Sequence, residues 1–203
     1  NNEGIDLDKF NVLIQKYEPK FFYCIPDFHN PTGYRYSMEN REKLMDIINK
    51  NNILVIEDAV WRYTYQNDSL PTLKELDSTG KVIHIRGMSK LIGGGYRISA
   101  ISANKNIVKQ LLFSKSTKDL GTSRLSQIAV SEIIRSGLIY EQEKKVREKI
   151  RYRLTKINDL FQKYMDKRVR CELPEGGLVL WIQLPETLSS LELLKFNSNI
   201  SFM

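Results

Sequence analysis

Apolar residues in this chain come in short unbroken runs, separated by stretches where they recur every three or four positions. Lys20-Phe21-Phe22-Tyr23-Cys24-Ile25 reads as a buried strand that ends at Pro26. Ile53-Leu54-Val55-Ile56 is a second, followed at once by Glu57-Asp58. Val82-Ile83-His84-Ile85 is a third, leading into Arg86-Gly87-Met88-Ser89-Lys90, and Ile98-Ser99-Ala100-Ile101 is a fourth. Between the first two, Ser37 caps a helix that carries Arg41, Leu44, Met45, Ile47 and Ile48 and breaks at Asn49-Lys50-Asn51-Asn52. Helices are expected at about 106–118, 123–136 and 140–166. Val169-Arg170-Cys171-Glu172-Leu173 and Leu178-Val179-Leu180-Trp181-Ile182 then read as strands flanking Pro174-Glu175-Gly176-Gly177. Asn199-Ile200-Ser201-Phe202 is strand-like as well.

Wholly apolar strands alternating with helices imply an α/β fold whose sheet is covered on both faces. The segment after residue 166 begins a second, more strand-rich region. With 203 residues, 41% hydrophobic and 27% charged, the composition is that of a globular chain and excludes collagen-like and disordered classes. Cys24 and Cys171 stand far apart without a CxxC pair, which argues against a disulfide framework and fits a reducing cytoplasm. No apolar run reaches the roughly 20 residues of a membrane span, and Asn1-Asn2-Glu3-Gly4-Ile5-Asp6 has neither a basic nor an apolar signal region. The missing initiator Met and the stop at Ser201-Phe202-Met203 suggest a piece of a longer protein.

Charge changes the picture at one place. From Glu141 to Arg170, eleven Lys/Arg stand against five acids, so this stretch alone supplies +6 of the net +7. Val146, Ile150, Leu154, Ile157, Phe161 and Met165 run through it at helical spacing. A basic helix can neutralise phosphates, but a solvated Lys/Arg-rich face explains the pattern as well, and no aromatic residues interleave on it as single-strand binding requires.

In open α/β sheets, ligands gather at the carboxyl ends of the strands. Those ends carry Asp27-Phe28-His29-Asn30-Pro31-Thr32-Gly33 after the first strand, Asp58 after the second and Lys90 after the third. A turn, a helix cap or a solvated lysine would explain each one singly. An amide, a carboxylate and an ammonium at three successive strand ends suggest one shared ligand. His29 and His84 lack Cys or acid neighbours at metal spacing, so no metal site is expected. Gly93-Gly94-Gly95 gives backbone freedom but is neither GxGxxG nor a Walker loop.

Ile25-Pro26-Asp27-Phe28-His29-Asn30-Pro31-Thr32-Gly33, Val55-Ile56-Glu57-Asp58, and Met88-Ser89-Lys90 with Arg97 seven residues on resemble the fold-type-I pyridoxal-phosphate aminotransferases of class I/II. Within these, the resemblance is to aminoadipate-type aminotransferases and to the aminotransferase-like domain of MocR/GntR-type regulators. It continues through Leu125-Ser126-Gln127-Ile128-Ala129, Ser136-Gly137 and Gly176-Gly177 before Trp181. The fold it implies is a three-layer sandwich with a mostly parallel sheet. Residues 1–139 would be part of the cofactor-binding large domain, and 140–203 the connecting helix and the start of a smaller α+β domain.

The function the resemblance implies is amino-group transfer between an amino acid and a 2-oxo acid, with pyridoxal 5′-phosphate held as an internal aldimine on Lys90. Asp58 would face the pyridine nitrogen, Asn30 the ring hydroxyl, and Arg97 and Ser89 the phosphate, where a guanidinium fork suits a dianion. The alternative is a domain that senses pyridoxal phosphate or an aminated ligand in a GntR/MocR-type regulator, with DNA a partner only if a winged helix lies upstream. A homodimer is expected of the parent protein, in the cytoplasm, with no membrane partner.

This chain departs from the family at two positions. Trp61 stands where the family has a tyrosine that hydrogen-bonds the ring hydroxyl; an indole N–H donates but never accepts, and Tyr63 nearby has the wrong spacing. Gly87 stands where the family has a phosphate-binding serine. The family's earlier phosphate loop and ring-stacking aromatic have no counterpart before Asn30, and its carboxylate-gripping arginine would follow Met203, so the chain is expected to hold about half of an active site.

Overall fold

The computed structural model describes residues 4–65, 69–119 and 121–196; the strand-like segment 199–202 lies outside the described residues. The first element is a helix that the hydrophobic pattern does not announce, α1 (Leu7–Tyr17), capped by Asp6, whose side chain accepts from Lys9 N–H. Only Ile14 is buried on it while Val12, Leu13 and Tyr17 are exposed, so its apolar stripe is broken. Strand β1 (Phe21–Cys24), helix α2 (Met38–Asn51), strand β2 (Leu54–Asp58), the single turn α3 (Leu73–Leu76) and strand β3 (Val82–Gly87) follow. Next come β4 (Ser99–Ser102), α4 (Lys105–Lys118), α5 (Arg124–Arg135), α6 (Leu138–Tyr164), β5 (Arg170–Cys171), β6 (Ile182–Gln183) and α7 (Ser190–Phe196).

The larger sheet has the order β1-β2-β3-β4, parallel through β3 and antiparallel between β3 and β4. In register, Phe22 faces Val55 and Cys24 faces Glu57, while Val55 faces Val82 and Glu57 faces His84. Val55, Val82 and Cys24 pack under Leu44, Met45 and Ile48 of α2, Ile14 of α1 and Leu73 of α3, the main core. Ser37 begins α2 as the pattern predicts, accepting from Asn40 N–H at 3.2 Å, and Asn52 ends it in the left-handed region.

The opposite face carries Phe21, Tyr23, Ile56, Asp58, Ile85 and Ile101. Part of this face is open: Phe21 is 57% exposed, Tyr23 51% and Ile101 49%. A second core joins Met88 and Leu91, just past β3, to Tyr63, to Val130 of α5 and to Ile139 of α6. The basic helix α6 begins at Leu138, after Gly137 at φ 78°, and ties back through Arg86–Glu143 (2.9 Å) and through Gln142 Nε2 donating to the Leu91 carbonyl.

The strands expected over 169–173 and 178–182 shrink to two paired residues each, Arg170 with Gln183 and Cys171 with Ile182. The physical cause is the Pro174–Gly177 turn, which leaves the hairpin to dock on Phe28 and Thr64. Among the described residues no helix is long and apolar enough to cross a membrane.

Candidate active site

The three strand ends lie side by side because β1, β2 and β3 are parallel neighbours. Beyond β1 the chain stays buried from Ile25 to Phe28 and then turns back: His29 N–H donates to the Tyr34 carbonyl (2.8 Å) and Gly33 N–H to the His29 carbonyl (2.6 Å). Gly33 sits at φ 73°, His29 Nδ1 shares a hydrogen bond with Thr32 Oγ1 at 2.9 Å, and the Asn30–Pro31 bond is cis. The turn presents Asn30, exposed, at its tip.

A fully buried charge pair holds this turn from below. Arg41 of α2 donates to Asp27 Oδ1 at 2.5 Å and to the carbonyls of Pro26, Tyr36 and Pro71. Tyr65 also donates to Asp27, and Arg62 reaches its other oxygen at 3.3 Å. Burial, with Asp27 beside it, raises the Tyr65 phenol far above its ordinary range. A buried guanidinium is tolerable only with its donors matched, and here they meet a carboxylate and three carbonyls. The pair thereby fixes the loop of Asn30 to the segment that follows Asp58.

At the end of β2, successive side chains point to opposite faces. Glu57 turns into the main core, where it is fully buried and accepts from Leu73 N–H (2.7 Å), Lys74 N–H (3.1 Å) and His84 Nδ1 (2.8 Å). His84 is accordingly a structural partner. Asp58 turns to the open face; Tyr23 donates its hydroxyl to Oδ2 (2.8 Å) and Val60 N–H donates to Oδ1 (3.2 Å). Desolvation, reinforced by that carboxylate, pushes the Tyr23 phenol up to about 12.

Trp61 is buried against Ile25, Phe28, Tyr65 and Val60. Lys90, exposed at the turn after β3, sets its Nζ 5.5 Å from the centre of the Trp61 ring. Ser89 is half-buried beside it. Arg97 is exposed and held at φ 53°, a left-handed conformation costly for a side chain with a Cβ. Among the described residues, Asn30, Ser89 and Arg97 make no side-chain hydrogen bond, so their polar ends are available to a ligand.

Tyr63 does not stand in for the tyrosine replaced by Trp61. Its hydroxyl is buried in the second core with no partner among the described residues. The phenol that reaches this site is Tyr23, which the sequence pattern does not single out. Gly87 likewise has a local reason, since a Cβ there would come within 2.9 Å of Val60 Cγ1.

A sequence profile described as Aminotransferase class I and II matches residues 1–196. The chain belongs to that family. It is 30% identical over 207 aligned positions to the 2-aminoadipate transaminase of Thermus thermophilus, covering 99% of this chain and 52% of that protein. It is 31% identical to the HTH-type transcriptional regulator NorG of Staphylococcus aureus, over 87% of this chain and 40% of the regulator. Its fold superposes with a TM-score of 0.91 on LysN, the alpha-aminoadipate aminotransferase of Thermus thermophilus, solved complexed with N-(5′-phosphopyridoxyl)-L-leucine. That match has 30% identity and covers 96% of this chain and 51% of LysN. The chain thus spans about half the length of the aminotransferases it matches, and carries the PLP-dependent transferase fold in part.

Proposed function

We propose that this class I/II aminotransferase chain supplies the lysine, the ring-nitrogen carboxylate and the phosphate-side residues of a pyridoxal-phosphate site that moves an amino group between an amino acid and a 2-oxo acid. The observation that carries the reading is the exposed Lys90 amine against the Trp61 ring, with the Asp58 carboxylate at the neighbouring strand end oriented by two donors.

The donor set suits the cofactor. Lys90 would hold its aldehyde carbon, Asp58 its protonated ring nitrogen, Asn30 its ring hydroxyl oxygen, and Ser89 and Arg97 its phosphate. Trp61 lines the site beneath Lys90. When bound, pyridoxal phosphate supplies an electron sink for charge left at the substrate's α-carbon. The rest would fall to side chains: Nζ of Lys90 would serve as the base that takes and carries the substrate's α-proton, and Asp58, its oxygens fixed by Tyr23 and Val60 N–H, would supply the negative charge that favours a protonated ring nitrogen. The test is borohydride trapping on the full-length protein. After incubation with pyridoxal phosphate, reduction and digestion, label on Lys90 alone supports the reading; label scattered over surface lysines, or none, sinks it.

A second reading rests on the likeness to NorG: the same site senses the cofactor or an aminated ligand within a regulator. Both readings assign residues 1–139 to a large cofactor domain and 140–203 to the connecting helix and start of a smaller one, within a cytoplasmic homodimer. Spectral conversion of the bound cofactor on adding amino acids separates them, since a sensor binds without completing the half-reaction.

A further inference from the structure

Thr64 is fully buried three residues past Trp61. Its hydroxyl donates to the Trp61 carbonyl at 2.6 Å and accepts from Gly177 N–H at 2.7 Å, a contact that spans 113 positions of the chain. The Thr64 amide donates to the same Trp61 carbonyl at 2.9 Å. Gly177 belongs to the turn that left the β5–β6 hairpin, and that turn is seated closely. A Cβ on Gly176 would lie 2.7 Å from the Thr64 carbonyl oxygen and would overlap the Phe28 ring; one on Gly177 would lie 2.9 Å from Phe28 Cβ. Arg35 grips the turn from outside through Glu175 at 2.5 Å and lies over the Tyr65 ring.

We infer that Thr64 is a positioning residue, through which the Pro174–Gly177 turn sets the placement of Trp61 and, with it, the ring surface on which the Lys90 amine rests. The chain of contacts is continuous: Gly177 N–H to Thr64 Oγ1, Thr64 Oγ1–H to the Trp61 carbonyl, and the Trp61 ring to Lys90 Nζ. A hydroxyl is needed because only it can accept from one side and donate to the other. Two glycines are needed because the turn approaches an aromatic ring and a backbone carbonyl with no room for a Cβ. What the relay does for the cofactor rests on the reading of Lys90 given above; the relay itself does not.

The experiment labels the full-length protein with 5-fluorotryptophan, assigns the Trp61 resonance as the one lost in Trp61→Phe, and follows it by fluorine NMR without cofactor. Thr64→Val, which keeps the shape and removes the hydroxyl, is expected to shift and broaden that resonance, and Thr64→Ser to restore it. Gly176→Ala, acting from the far side, is expected to reproduce the Thr64→Val change. Because the two act on one relay, the double variant should go no further than the worse single one. An unmoved Trp61 resonance in Gly176→Ala, or changes that add in full, would overturn the proposal. Gly176→Ala keeps the test open should Thr64→Val not fold. In a second arm, pyridoxal phosphate affinity should fall roughly ten-fold in Thr64→Val and recover in Thr64→Ser, the effect of about one ordinary hydrogen bond. Absence of Lys90 labelling in the unaltered protein would count against the cofactor reading alone, since the fluorine signal reports the relay independently.

Discussion

The Tyr23 hydroxyl reaches across from β1 to donate to Asp58 Oδ2 of β2 at 2.8 Å. Tyr23 stands opposite Ile56 in the parallel register, so Asp58 is its diagonal neighbour two residues on, upon the same sheet face. A carboxylate at the end of a strand would otherwise be free to swing; this phenol and Val60 N–H fix both of its oxygens.

Removing the phenol tests that role. Tyr23→Phe keeps the ring and its packing but frees Asp58 Oδ2. A hydrogen bond to a charged acceptor contributes about 1.5 kcal/mol or more, so pyridoxal phosphate should bind roughly ten-fold more weakly, as read by absorbance titration. Thermal stability should fall by no more than this one bond is worth, because the ring and its packing remain.

The buried pair beneath the Asn30 turn should be far less forgiving. Asp27→Asn leaves the Arg41 guanidinium, fully buried, without its counter-charge. Breaking one partner of such a pair costs about 3–5 kcal/mol, which urea unfolding would register as a large drop in midpoint.

Gly87 and Val60 should behave as a coupled pair. Gly87→Ser introduces a Cβ within 2.9 Å of Val60 Cγ1, and such overpacking costs about 1–3 kcal/mol. In Gly87→Ser/Val60→Ala the space reopens, so melting should return toward the parent value. The serine hydroxyl, which the family places at the phosphate, should then tighten cofactor binding. A double variant no more stable than the single one would remove the steric account.

Acid should loosen the connection into β3 through Asp77. Desolvation works against its charge, but Val82 N–H, Lys74, Lys81 N–H and the Lys74 charge together hold its carboxyl down to about 2 from 3.8. A folded-state value below the unfolded one stabilises above about pH 4, and that stability is lost as pH falls through about 2. The amount is about 2 kcal/mol. Asp77→Asn should lower stability at neutral pH by this order and flatten the acid limb of the unfolding profile between about pH 4 and 2.

The strands β1 to β4 and the capped helix α2 were legible because each is local: an apolar run, a cap, a period. Asn30, Asp58, Lys90 and Arg97 stand out in the sequence as candidates because strand ends and motif order mark them. Tyr23 was not, since in the sequence it is one more aromatic in an apolar run and its partner lies on another strand. The pairing of Arg41 with Asp27 was not legible either, because burial of an ion pair depends on acceptors from three separated segments. Thr64 was hidden for a similar reason: its decisive donor comes from a turn over a hundred positions later. The same turn shortened β5 and β6, for tertiary docking outweighed the strand pattern on both sides of it.

The antiparallel return of β4 has one more consequence. Gly87 pairs with Ser99, and Met88 N–H donates to the Ile98 carbonyl at 3.0 Å, so the segment between them leaves and re-enters the sheet at one paired gate. Lys90 and Arg97 both lie inside it. Fraying of β4 from β3 would therefore release the amine and the guanidinium in a single event, and the two ends of any molecule they share would be gained and lost together, as one cooperative unit.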